Sequence, residues 1–192
     1  MGKRGSGKSF LLRKKLSQQT RFVLYNTLGE PTYSEFETVT DFDVLAEKLK
    51  KNSGLIRVNY CRLSPLSMAD DFNMVCEAVK ASSNIIFAVD EIDLHTNPNM
   101  LPEPFEYLVS IGRHRGISVW VISRRPYLIH SLIRSQASTV ITFNQTEPRD
   151  IEWLKQVIGE QVNRLPSLKQ YEPLIWQENL TKEKGESGEA TE

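Results

Sequence analysis

The feature that most restricts what this chain can become is its opening segment, Gly2-Lys3-Arg4-Gly5-Ser6-Gly7-Lys8-Ser9. It satisfies the pattern GxxxxGK[ST] in full and adds a further glycine at Gly5. Glycines at these spacings let consecutive backbone N–H groups turn inward around an anion, and a helix beginning near Lys8 adds the positive end of its dipole. Lys8 then reaches the β- and γ-phosphates of a nucleoside triphosphate as a point charge, and the Ser9 hydroxyl is placed to ligate the magnesium that bridges them. The apolar Phe10-Leu11-Leu12 follows, as the start of a buried helix should. The expected nucleotide-binding set is Gly2, Gly5, Ser6, Gly7, Lys8, Ser9 and Phe10, with ATP and Mg2+ as the ligands. Such a loop ordinarily follows a buried strand, and here only Met1 precedes Gly2. Two arrangements are open: a strand upstream of this Met, or a neighbouring segment that takes its place.

The rest of the chain supplies the framework that the loop requires. Short runs rich in β-branched and aromatic residues alternate with amphipathic stretches of helical length, the pattern of a parallel sheet covered by helices. Strands are expected over residues 21–26, 55–61, 84–90, 117–123 and 139–144. Ile85-Ile86-Phe87-Ala88-Val89 and Val119-Trp120-Val121-Ile122 are apolar on both faces, as central parallel strands must be. Helices are expected after Gly7 and over residues 43–51, 66–81, 104–114 and 148–158, the last two opened by proline in the tolerated first turn. Residues 165–177 read as a turn and a late strand. The expected fold class is α/β: a three-layer P-loop NTPase with a mostly parallel central sheet. At 192 residues the chain suits one core, over residues 1–178. Residues 179–192 contain no aromatic residue and after Leu180 are almost all Lys, Glu, Gly, Ser and Thr, and read as a disordered charged tail.

The strand Asn84-Ile85-Ile86-Phe87-Ala88-Val89 ends in Asp90-Glu91, an apolar strand delivering paired carboxylates. A buried strand of this kind brings Asp90 beside the magnesium and Glu91 to where it orients and polarises the attacking water, so Glu91 is the candidate general base. Asp93 lies one residue too far along and reads as a solvated or capping group.

From Gly112 the chain continues Gly-Arg-His-Arg-Gly-Ile-Ser-Val-Trp-Val-Ile-Ser-Arg-Arg-Pro, then Leu132-Ile133-Arg134-Ser135-Gln136-Ala137 and Thr139-Val140-Ile141-Thr142-Phe143. With Asn26-Thr27-Leu28-Gly29-Glu30 after an earlier strand, this order resembles the FtsK/HerA superfamily of ring-forming DNA-pumping ATPases, viral genome-packaging ATPases among them. The likeness covers most of residues 2–158. Asn26 stands where the family usually has Asp, and Arg124, preceded by Ser123, stands where it often has Gln before Arg-Pro. The resemblance implies that Arg113 or Arg115 acts as an arginine finger in a neighbouring subunit's site, and that Ser123 and Arg124 contact the γ-phosphate or the lytic water. It further implies an ATPase that translocates double-stranded DNA, packaging a viral genome as a homo-oligomeric ring, a pentamer or hexamer, with viral capsid or membrane proteins as further partners. Residues 95–104 and the basic Arg13-Lys14-Lys15 are the segments that could meet the nucleic acid. The alternatives are a Zot-like ATP-dependent assembly or morphogenesis protein and a conjugative or repair DNA pump. A small-molecule kinase is disfavoured, since no arginine-rich lid segment is evident.

Charge and composition bound these readings. Lys plus Arg equals Asp plus Glu at 24 each, so contact with DNA must come from a local basic surface. No apolar run approaches the ~18 residues of a membrane span. The expected location is the cytoplasm, meaning the host cytoplasm or the virion for a viral protein. Cys61 and Cys76 read as reduced thiols, and His95, His114 and His130 as surface or helix-end residues without metal-ligand spacing.

Overall fold

The computed structural model describes residues 1–3, 5–51, 54–63 and 65–178; the expected tail at 179–192 lies outside them. In chain order the elements are α1 (Lys8–Leu16), β1 (Arg21–Asn26), β2 (Glu37–Val39), α2 (Phe42–Lys50), β3 (Ile56–Tyr60), α3 (Met68–Lys80) and β4 (Ile85–Asp90). They continue with α4 (Glu103–Ser110), β5 (Ile117–Val121), α5 (Ser131–Ser135), β6 (Thr139–Thr142), α6 (Pro148–Ile158) and β7 (Leu174–Gln177).

Five strands form one sheet in the order β2-β3-β1-β4-β5, every pairing parallel. Because parallel strands need crossovers, helices cover both faces, and β1 records this in its alternation. Phe22 and Leu24 pack with Leu12 and Leu16 of α1, while Val23 and Tyr25 face the larger cluster built from α2, α3 and α4, with Leu45, Phe72 and Phe105. This is the three-layer α/β fold expected from the sequence. Local signals place the helices: Asp41 caps α2 by accepting from Asp43 N at 2.8 Å and Val44 N at 3.2 Å, and Ser67 caps α3 through Asp70 N at 3.1 Å. Each such cap stabilises its helix by about 1 kcal/mol.

The departures from expectation have local causes. The helix expected over 104–114 ends at Ser110 and tightens into a 3-10 turn, Gly112–Arg115, closed by Gly116 at φ 69°. Strand β6 stands outside the five-stranded sheet and pairs antiparallel with β7. The three-residue β2 was not foreseen, being too short for an alternation to register.

Met1 donates from its terminal amine to Ile141 O at 2.6 Å and accepts from Phe143 N at 2.9 Å, a parallel bridge opposite Thr142. No described strand lies between β5 and β6, so among the described residues no neighbouring segment replaces the strand that usually precedes a phosphate loop. A groove of about 1170 Å³ separates them, lined by Val119 and Val121 of β5, Val140 of β6, Leu11, Trp153 and Trp176.

Candidate active site

All five parallel strands end at one edge of the sheet, and the phosphate loop lies there too, ahead of α1. Gly7 caps α1 in the left-handed region, φ 98° and ψ 9°, which a side chain resists, and an added Cβ would meet the Tyr171 ring at 2.9 Å. Gly2 is equally constrained, since a Cβ there would meet Ser6 Oγ at 2.9 Å. Ser6 is buried with its hydroxyl unpartnered. Lys8 is 8% exposed and donates through Nζ to Lys3 O at 2.8 Å. Its ammonium pKa is lowered by burial, an effect opposed by the carboxylates of Glu91 and Asp90. Phe10 is exposed beneath the Arg13 guanidinium, 5.1 Å from the ring centre.

Strand β4 delivers Asp90 to the same place. Ser9 Oγ lies 3.4 Å from Asp90 Oδ2, and the Tyr33 hydroxyl donates to that oxygen at 2.6 Å. Asp90 Oδ1 is buried and has no partner. Burial pushes the Asp90 carboxyl above the usual range, and the Tyr33 hydrogen bond pulls it back down. Among the described residues no three His, Cys, Asp or Glu side chains gather around a common point. A serine hydroxyl, one free carboxylate oxygen and a phosphate loop therefore fit Mg2+, which takes one or two protein oxygens and completes its shell from phosphate and water.

Glu91 follows at φ 59°, a left-handed conformation that costs a non-glycine residue of order 1 kcal/mol and is found where a side chain must be aimed. Its Oε2 lies 2.9 Å from Arg124 Nε. Burial raises the Glu91 carboxyl, and Arg124 lowers it. Ser123 is fully buried and accepts from Arg125 N at 3.0 Å through Oγ, closing the turn after β5.

Lys8, Ser9, Asp90, Glu91, Ser123 and Arg124 thus lie at the strand-end edge. Arg113 and Arg115 do not. Arg115 O accepts from Asn84 N at 2.9 Å at the beginning of β4, and Arg115 Nη2 donates to Ala81 O at 3.3 Å. Arg113 is exposed beside the groove between β5 and β6.

Sequence reasoning missed three participants. Tyr33 lies in no motif of the sequence. Thr27 donates through Oγ1 to the Asp90 carbonyl and sits 3.0 Å from His95 Nε2. His95 ends the 3-10 turn Ile92–Leu94, a helix-end place as one of the two expectations had it, but it is buried and stacked on Phe72 at 4.2 Å; burial lowers its pKa to about 4. Asn26 clamps the turn after β1, donating to Glu30 O at 3.0 Å and accepting from Glu30 N at 2.8 Å.

No protein-family model and no curated protein sequence matches the chain; its likeness is structural. The genome packaging NTPase B204 of Sulfolobus turreted icosahedral virus 2, in complex with ATP-gammaS, superposes with a TM-score of 0.76 at 21% identity, over 93% of this chain and 90% of that one. The two chains share one fold, a parallel α/β sheet behind a glycine loop. The N-terminal domain of zonular occludens toxin from Neisseria meningitidis matches at TM-score 0.51 and 18% identity, over 92% of this chain and 91% of that one. The pCW3 conjugation coupling protein TcpA, with ATPgS, matches at 0.53 and 15%, over 92% of this chain and 56% of the other. Among the described residues no helix is long and apolar enough to cross a membrane.

Proposed function

We propose that this chain is an ATPase that moves double-stranded DNA, packaging a viral genome as a ring-shaped homo-oligomer with nucleotide sites at its subunit interfaces. The observation that carries the reading is the convergence on one sheet edge of Lys8, Ser9, Asp90, Glu91 and Arg124 around a glycine loop, with Asp90 Oδ1 buried and unpartnered. A likeness to a genome packaging NTPase over nine-tenths of both chains supports the choice of substrate.

Bound magnesium would be held by Ser9 and Asp90 and would neutralise charge on the β- and γ-phosphates. The loop amides and Lys8 bind the same phosphates. Glu91 takes the proton of the water that attacks the γ-phosphorus as the bond to the ADP oxygen breaks, and a carboxyl raised by burial is a better base for that step. Arg124 turns from Glu91 to the terminal phosphate, freeing the base; the Ser123 hydroxyl steadies the water. Arg113 or Arg115 enters from the neighbouring subunit and stabilises charge on the transferring group. Within the 95–104 segment His95 and Thr96 are buried and the exposed Asn97, Pro98, Asn99 and Met100 are the candidate contacts to the DNA backbone, together with Arg13-Lys14-Lys15; the protein works in the host cytoplasm or the virion with capsid or membrane proteins at hand.

The experiment is ATP turnover against duplex DNA of increasing length. Stimulation that grows with length is expected, and turnover indifferent to duplex DNA at every length would overturn translocation. That outcome would favour a second reading, a Zot-like assembly protein, to which the full-length match with the zonular occludens toxin domain points.

A further inference from the structure

The two oxygens of Asp90 are not equivalent. Oδ2 accepts the Tyr33 hydroxyl at 2.6 Å and lies 3.4 Å from Ser9 Oγ, while Oδ1 is buried without a partner. Tyr33 is itself fully buried on the 3-10 turn Pro31–Tyr33, in the cluster that contains Leu12, Phe22, Leu24 and Phe36. Its ring is fixed by packing, and so is the position of its hydroxyl oxygen beside Asp90 Oδ2.

The turn that carries it is fixed as well. Asn26 closes it on both sides of Glu30, and Thr27 donates to the Asp90 carbonyl. The segment after β1 therefore holds Asp90 twice, once by backbone and once by side chain. A carboxylate held this way presents a single oxygen to a cation.

Cations differ in what they ask of a carboxylate. Mg2+ demands near-ideal octahedral geometry at about 2.0–2.1 Å and is content with one carboxylate oxygen, direct or through water. Ca2+ takes about 6–8 oxygens at 2.3–2.6 Å and is often satisfied by a bidentate carboxylate. Resting on the nucleotide-site reading above, we propose that Tyr33 is a metal-specificity determinant: by capping Oδ2 it makes Asp90 monodentate and so favours Mg2+ over Ca2+. Tyr33 acts through Asp90 and touches neither metal nor nucleotide, which makes it a positioning residue.

The test is Tyr33→Phe, which keeps the buried ring and removes the hydroxyl that donates to Asp90 Oδ2 and also meets the Ser9 hydroxyl. Binding of a nonhydrolysable ATP analogue is followed while Mg2+ and Ca2+ are titrated separately. The Mg2+ midpoint should rise about tenfold or more, as loss of a partner to a metal-ligating carboxylate generally does. The Ca2+ midpoint should rise less or fall, so that the ratio of the two narrows, while metal-free analogue binding stays at the wild-type level. Two unchanged midpoints, or two raised by the same factor as simple loosening would produce, would overturn the proposal. Should Tyr33→Phe lose its cooperative unfolding transition, fluorotyrosine at position 33 serves instead. Its more acidic hydroxyl strengthens the same bond and widens the ratio, and an unchanged ratio refutes the role. A wild-type chain whose analogue binding ignores both metals would show that the nucleotide-site reading has failed, taking this inference with it.

Discussion

An arginine finger placed as this chain places Arg113 and Arg115 cannot serve its own site. Arg115 is level with Asn84 at the start of β4, and Asp90 is six residues further along that strand. At about 3.3 Å per residue the separation is about 20 Å, far beyond the reach of a guanidinium. If either arginine acts in catalysis, it acts on a neighbour. Arg113→Ala or Arg115→Ala, whichever is the finger, should then lower turnover by about 10³-fold or more without weakening nucleotide binding to match. Lys8→Ala should inactivate its own site while leaving its arginines intact. In rings assembled from equal amounts of the two mutants, a site works only where a subunit with Lys8 meets a neighbour with its finger. Random mixing around a closed heterologous ring makes that roughly a quarter of the sites. Steady-state phosphate release from co-refolded mixtures measures it. Activity no higher than that of either mutant alone would refute action in trans for the arginine tested.

Two further outcomes follow from the geometry. Glu91 as base must be deprotonated, so the rate climbs as pH rises through a pKa that burial has raised; Arg124 pulls that pKa down, and Arg124→Gln should therefore move the acid limb of kcat/KM to higher pH. An acid limb that stays in place would show that some other group titrates. Asp71, buried on α3, accepts the hydroxyls of Tyr25 at 2.8 Å and Tyr60 at 3.0 Å. Asp71→Ala strands both, at about 2 kcal/mol or more together, which lowers Tm by about 4 °C or more. The same change in a Tyr25→Phe, Tyr60→Phe background should cost much less, and an equal cost in calorimetry would contradict the network.

Those parts of the candidate site whose chemistry is local are legible in the sequence. A glycine loop with Lys8 and Ser9 announces itself within eight residues, and an apolar strand ending in Asp90-Glu91 can deliver its carboxylates only at its own end. Parallel topology then puts both at one edge. What stayed hidden depends on which strands are neighbours: Tyr33 meets Asp90 across 57 positions and Thr27 meets His95 across 68, because β1 lies beside β4. Thr27 stands in a turn and His95 in a segment that the sequence singles out, but no residue type at 27, 33 or 95 points to Asp90 or to the other partner. Buried aromatics and a stacked histidine are ordinary core residues until a carboxylate is found against them.

Adjacency also explains why Glu91, the proposed base, and Arg124 belong to one unit. Ile122 donates to Val89 O at 2.9 Å and its carbonyl accepts from Ile92 N at 2.8 Å, so the backbone just past β5 is stitched to both sides of Asp90-Glu91. This stitch crosses the residue whose φ is positive, and it holds Glu91 in that conformation. Arg124 is two residues beyond Ile122, on the same short arm. The backbone of the base and of the arginine is thereby fixed, and the part left free to change is the side-chain pair at 2.9 Å. A terminal phosphate competing for Arg124 can open that pair without rebuilding either strand end. On the proposed mechanism its departure would let the pair close again, which would leave the carboxylate neutralised whenever there is no γ-phosphate to attack.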